Sequence, residues 1–131
     1  LGMERRINII IYLSPDWNEE WGGGLELWSH DAENNKPKEC VTKVYNKFNR
    51  AVLFDTAQNS WHGLPTETLC PEGVYRKSLA IYYVSEARDC AEPNDRAHFA
   101  PHGEQANDQK VLDLIEKRSN TKTSGDIFRA Y

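Results

Sequence analysis

The sequence predicts an all-β fold, a small sandwich or barrel with one helix behind it. Two observations carry this expectation. Several short runs of β-branched and aromatic residues follow one another between Gly- and Pro-marked turns, and only one stretch, near the C-terminus, has apolar residues at helical spacing. The 131 residues allow one core with an appendage, and 39% hydrophobic residues, among them 4 Trp, 6 Tyr and 4 Phe, supply enough apolar surface to offset chain entropy.

Residues 5–13 (RRINIIIYL) read as a strand that stops at Ser14-Pro15-Asp16, a turn signal in which Pro presets φ. Residues 17–24 (WNEEWGGG) end in three glycines, which disfavour a helix and suit a tight bend entering a strand at Leu25-Glu26-Leu27-Trp28. Residues 29–39 (SHDAENNKPKE) are polar and turn-rich, and an exposed loop is expected there. Residues 41–45 alternate as a strand does, 46–50 turn the chain, and 51–54 form a short apolar run of the kind found in buried strands. A short strand starts in Ser60-Trp61-His62-Gly63, residues 64–73 form a loop with two prolines and a glycine, and 76–84 (RKSLAIYYV) make the last strand. From residue 87 the composition turns polar, so residues 1–86 are expected to hold the β core. Residues 87–131 should be an extended segment and a helix over 107–118, with Asn107 or Asp108 as its N-cap. Packing of the stripe Val111, Leu114 and Ile115 is the default role for that helix.

Lys plus Arg number 16 against 20 Asp plus Glu, a net charge of −4, which is the wrong sign for a chain held to nucleic acid by phosphate neutralisation. Residues 7–13 are the longest apolar run; Asn8 interrupts it and it falls far short of the ~20 residues of a membrane helix. No nucleic-acid partner and no membrane association are expected. The 3 cysteines, Cys40, Cys70 and Cys90, are odd in number and widely spaced, without a CxxC pair, which fits reduced, packed or surface thiols and a cytoplasmic location.

Of four histidines, His62 stands out, because it lies in a strand-like run between Trp61 and Gly63. His30-Asp31 and His102-Gly103-Glu104 look like metal-ligand pairs but sit in turn-rich segments without a third ligand, so solvated roles are expected for them. Arg76 and Ser78 alternate with Lys77 and so share one face of a strand. A planar guanidinium beside a hydroxyl is a good receptor for a carboxylate.

The segments RRINIIIYLSPDWNEEWGGGLELW, NRAVLFDTAQNSWHG and PEGVYRKSLAIYYVSE together resemble the catalytic core of the Fe(II)- and 2-oxoglutarate-dependent dioxygenases, most closely the prolyl hydroxylase-like branch. The resemblance runs from Arg5 to about Glu86, with the elements in the family's order. It implies a double-stranded β-helix, the jelly-roll barrel that cupins share. It also implies Fe(II) and 2-oxoglutarate, with ascorbate as an accessory, and hydroxylation of a prolyl or other side chain in a protein, peptide or small-molecule substrate. By the match His62 is an iron ligand, Arg76 binds the distal carboxylate of 2-oxoglutarate with Ser78 beside it, and Tyr12 helps to hold the same carboxylate. The family's His-x-Asp or His-x-Glu pair precedes the strand that starts here at Arg5, and no His-x-Asp occurs in the chain. A core incomplete at its N-terminus is therefore expected. Two alternatives follow: a metal-free β-helix module acting in binding or assembly, whose unpaired sheet edges favour a homodimer, and a cupin-like isomerase or sugar-binding barrel.

Overall fold

The computed structural model describes residues 3–57, 59–87, 89 and 98–119, and the chain divides into two compact units, Leu1–Pro93 and Asn94–Tyr131. The strands are β1 (Met3–Tyr12), β2 (Leu25–Asp31), β3 (Lys36–Val44), β4 (Ala51–Asp55), β5 (Trp61–Gly63) and β6 (Ser78–Glu86); the helix α1 (Gln109–Ser119) follows. The isoleucines of β1 crowd a helix and fit a pleated surface, so this run becomes the middle strand of a sheet ordered β4-β1-β6. The second sheet is ordered β3-β2-β5, and every pairing is antiparallel. Two antiparallel sheets with one C-terminal helix are the β-sandwich arrangement expected, consistent with a jelly roll.

Register fixes which residues meet. Asn8 lies opposite Phe54 on one side and Tyr82 on the other, and Tyr12 lies opposite Ser78. In the second sheet Leu27 pairs with His62 and Trp28 with Trp61. Because side chains alternate, Asn8, Ile10 and Tyr12 share the inward face of β1 while Ile7, Ile9 and Ile11 share the outward one. The outward face is apolar and open: Ile7, Leu53, Leu79 and Tyr83 are all exposed. Residues 51–54, expected as a buried strand, bury Phe54 alone; Leu53 is 61% exposed on the outward side. An apolar run does not reveal whether both of its faces are covered.

Three other expectations change. Residues 29–39 are not a loop, since β2 continues to Asp31 and β3 begins at Lys36, which leaves only residues 32–35 as the turn. Ser29 and Glu39 bridge the two strands, the Ser29 hydroxyl accepting from the Glu39 N–H at 3.1 Å, so polar residues here are the solvated side of a hairpin. The segment before the glycines holds a short 3-10 helix, Glu19–Trp21, started by the Asn18 side chain, which accepts from the Glu20 N–H at 3.0 Å. The last strand begins at Ser78, leaving Arg76 just ahead of it.

Asp31 organises the hairpin turn. Its carboxylate accepts from the Asn34 side-chain amide at 2.8 Å and from the backbone N–H groups of Glu33 and Asn34 at 3.1 and 3.3 Å. The Asn34 side chain is the main reason its pKa lies below the ordinary 3.8, with the two backbone N–H groups and Lys36 acting in the same direction. A carboxyl whose pKa falls on folding adds stability above its unfolded value and loses it as pH drops through the folded value. The protection factors of the Glu33 and Asn34 amides, measured against intrinsic exchange at each pH, are therefore expected to hold at neutral pH and to drop only as the pH falls below the ordinary carboxylate range.

In the second unit the Asp108 carboxylate accepts from the Lys110 N–H at 2.9 Å, which makes Asp108 the cap of α1. A short 3-10 helix, Gly103–Asn107, precedes it. Cys90 lies outside the described residues; Cys40 and Cys70 are free thiols. No helix among the described residues is long and apolar enough to cross a membrane.

Candidate functional site

The buried residues of the first unit are unusually polar for so small a structure. Among the described residues the buried hydrophobic side chains are Tyr12, Leu25 and Phe54, while Asn8, Ser14, Glu26 and Asn46 are buried with them. Buried polar groups normally pair. Here the Asn8 Oδ1 and both carboxamide atoms of Asn46 have no hydrogen-bond partner.

Tyr12, Arg76 and Ser78, singled out in the sequence, come together. The Arg76 guanidinium lies over the Tyr12 ring, 5.4 Å from its centroid, and its Nη1 donates to the Ser78 hydroxyl at 3.4 Å. Its Nε donates to the Gly23 carbonyl at 2.8 Å, which holds the fork by one edge and leaves the Nη groups as donors beside Ser78. Tyr12 is fully buried, its hydroxyl 3.5 Å from the Val44 carbonyl of the opposite sheet.

The backbone around Arg76 is sewn to the end of β1. The Leu13 N–H donates to the Lys77 carbonyl at 2.9 Å, the Lys77 N–H donates to the Ser14 hydroxyl at 2.7 Å, and that hydroxyl donates to the Tyr75 carbonyl at 3.0 Å. Gly23 closes the arrangement. Its φ is +71°, and a Cβ there would stand 2.8 Å from the Arg76 Cδ, so only glycine permits both the turn and the approach.

His62 belongs to the other sheet yet reaches the same wall. Its ring lies 4.6 Å from that of Phe54, which is on the inward face beside Asn8. The imidazole is exposed, and its Nδ1 is 3.0 Å from the Ser60 carbonyl. A carbonyl only accepts, so in the neutral imidazole this contact favours the proton on Nδ1 and leaves the Nε2 lone pair available. That tautomer can offer Nε2 to a metal.

The other histidines do not join the site. His30, expected to be solvated, is half-buried and accepts the Trp61 indole N–H on its Nδ1 at 2.9 Å, a structural contact between β2 and β5. The indole can only donate, which is why His30 is drawn in from its polar neighbourhood. His98 and His102 are exposed in the second unit. Among the described residues no group of three His, Cys, Asp or Glu side chains could hold a metal ion.

The geometry thus offers an anion receptor built from an arginine fork and a hydroxyl, and an imidazole with an open lone pair, both against the inward face of one sheet. The family model described as the 2OG-Fe(II) oxygenase superfamily matches residues 1–84. The chain belongs to that superfamily, whose members use Fe(II) and 2-oxoglutarate. It is 38% identical over 58 residues to "Prolyl 3-hydroxylase OGFOD1" of Mus musculus, an alignment covering 44% of this chain and 10% of that protein. It is 29% identical over 106 residues to "Prolyl 3-hydroxylase OGFOD1" of Xenopus laevis, covering 77% of this chain and 20% of that protein. The chain therefore corresponds to a small part of the length of these relatives.

The sequence alone does not single out Asn8 or Gly23. The signal for Asn8 was present, a lone amide inside an isoleucine run, but it reads there only as a break in apolar character. Gly23 is visible as part of a glycine cluster, whereas its contact with Arg76 spans a sequence separation of 53 and needs the fold.

Proposed function

We propose that the chain carries the cosubstrate-binding wall of a 2-oxoglutarate- and Fe(II)-dependent dioxygenase, folded as a double-stranded β-helix, that hydroxylates a prolyl residue of a protein. The Arg76, Tyr12 and Ser78 cluster is the observation that carries this reading. A diacid needs one fixed cationic fork for its distal carboxylate, and the Nε bond to Gly23 orients this fork in advance, so little order is lost on binding. Ser78 adds a hydroxyl donor, and Tyr12 forms the floor beneath the guanidinium. His62 is assigned as one nitrogen donor to iron, in the tautomer favoured by Ser60.

One imidazole is not an iron site by itself, and the chain's own groups bind and orient. In the net reaction the keto acid loses CO2 and takes one atom of dioxygen to become succinate, while the other atom enters a C–H bond of the substrate. The names of the two relatives support a prolyl substrate, and the free thiols Cys40 and Cys70 suit the reducing cytoplasm. Ascorbate would serve as an accessory reductant.

Incubation of the protein with Fe(II), 2-oxoglutarate and prolyl-containing peptides tests the reading. Where ligands besides His62 complete the iron site, succinate should form in step with the gain of one oxygen on a prolyl residue. The missing three-ligand group among the described residues favours, as a second reading, a module that binds without turning over. Saturable 2-oxoglutarate binding with no succinate would select that reading, and no binding at all would remove both.

A further inference from the structure

Along the inward side of β1 the chain presents Asn8, Ile10 and Tyr12 in turn. Tyr12 is absorbed by the carboxylate receptor. Asn8 is not, although it is 3% exposed and its Oδ1 has no partner. A carboxamide left unpaired at that depth lowers stability, so a β-branched or leucyl side chain would serve packing better.

The position of Asn8 suggests what the amide is for. Its neighbours across the strands are Phe54 and Tyr82, and the Phe54 ring carries the His62 imidazole. Four strand residues put its Cα about 13 Å from that of Tyr12. The arginine fork lies over the Tyr12 ring at one end of that span. A five-carbon diacid anchored by its distal carboxylate there directs its keto-acid end toward Asn8 and His62. The oxygen and nitrogen of an amide exchange by a half-turn, so the NH2 group can face inward and donate.

We propose that Asn8 is a positioning residue for the keto-acid end of bound 2-oxoglutarate, its side-chain NH2, turned by a half-rotation into the place of the unpaired Oδ1, donating to the keto acid. The proposal rests on the reading of Arg76, Tyr12 and Ser78 as the receptor of the distal carboxylate. It also separates two roles on one strand, anchoring at Tyr12 and alignment at Asn8.

Binding of 2-oxoglutarate, followed by quenching of the tryptophan fluorescence, and thermal melting test it on the full chain with the wild type, Asn8→Leu, Asn8→Ala and Arg76→Ala. The expected result for Asn8→Leu is about tenfold weaker binding, the loss of one hydrogen bond to a charged group, together with a melting temperature equal to or above that of the wild type. A structural asparagine would show the reverse, with lower melting and unchanged affinity, and that outcome overturns the proposal. If leucine does not fit, Asn8→Ala reports the same affinity loss in a smaller side chain; unchanged affinity in whichever variant folds is equally fatal. Weak binding by Arg76→Ala alone leaves the receptor standing and removes Asn8 from it. Failure of the wild type to bind removes the receptor itself, and the proposal for Asn8 with it.

Discussion

Arg76→Ala is expected to weaken 2-oxoglutarate binding about a hundredfold, the effect of removing the cationic partner from a hydrogen-bonded charge pair worth roughly 3 kcal/mol. Arg76→Lys should recover only part of this, because an ammonium keeps the charge and loses the planar fork that reaches both carboxylate oxygens. The variant also forfeits the Nε bond to Gly23, so its stability should fall by about 1 kcal/mol, a shift of several degrees in melting temperature for a unit of this size. Calorimetry with 2-oxoglutarate, read beside the melting curve, separates the two effects. Equal affinity for the wild type and Arg76→Ala, with both folded, would dismiss the arginine as the carboxylate receptor.

Gly23→Ala is expected to damage the same site without touching a ligand. Its φ of +71° costs an alanine about 1 kcal/mol, and the new methyl would meet the Arg76 Cδ at 2.8 Å. The Cδ is held close by the Nε bond to the Gly23 carbonyl, so the guanidinium must leave its seat over Tyr12 for the methyl to fit. We expect affinity for 2-oxoglutarate to drop roughly tenfold or more and stability to fall by about 1 to 2 kcal/mol. Gly22→Ala makes an informative comparison. It has a similar φ of +73°, and its added methyl would meet the Glu67 carbonyl instead of the arginine, so it should cost stability with a smaller change in affinity. Equal losses of affinity in the two variants would mean that the loop as a whole, and not the seat of Arg76, governs binding.

The two classes of expectation fared differently for a physical reason. Residue 12 closing a strand, the bend at the glycines and the Asp108 cap are local matters, set by β-branching, positive φ and a side chain reaching its own backbone. The 29–39 segment was misjudged because solvated hairpin strands and loops share a polar composition, and only cross-strand partners such as Ser29 and Glu39 tell them apart. His30 was misjudged for the same kind of reason, since its partner Trp61 is a residue of another strand.

The order of residue types along the chain pointed by itself to two sheets of short strands followed in sequence by one helix, and to His62, Arg76 and Ser78 as chemically notable residues, while Tyr12 came from the family resemblance. Strand propensity, turn chemistry and the arginine–serine alternation act over a few residues, so they are legible without a fold. Only the tertiary structure decided that Tyr12 lies beneath Arg76, that Gly23 holds the guanidinium, that Ser60 favours one tautomer of His62, and that Asn8 faces inward unpaired. These facts depend on strand register and on which sheet covers which face, and a shift of one residue in β1 would turn Asn8 and Tyr12 outward while leaving every local preference unchanged.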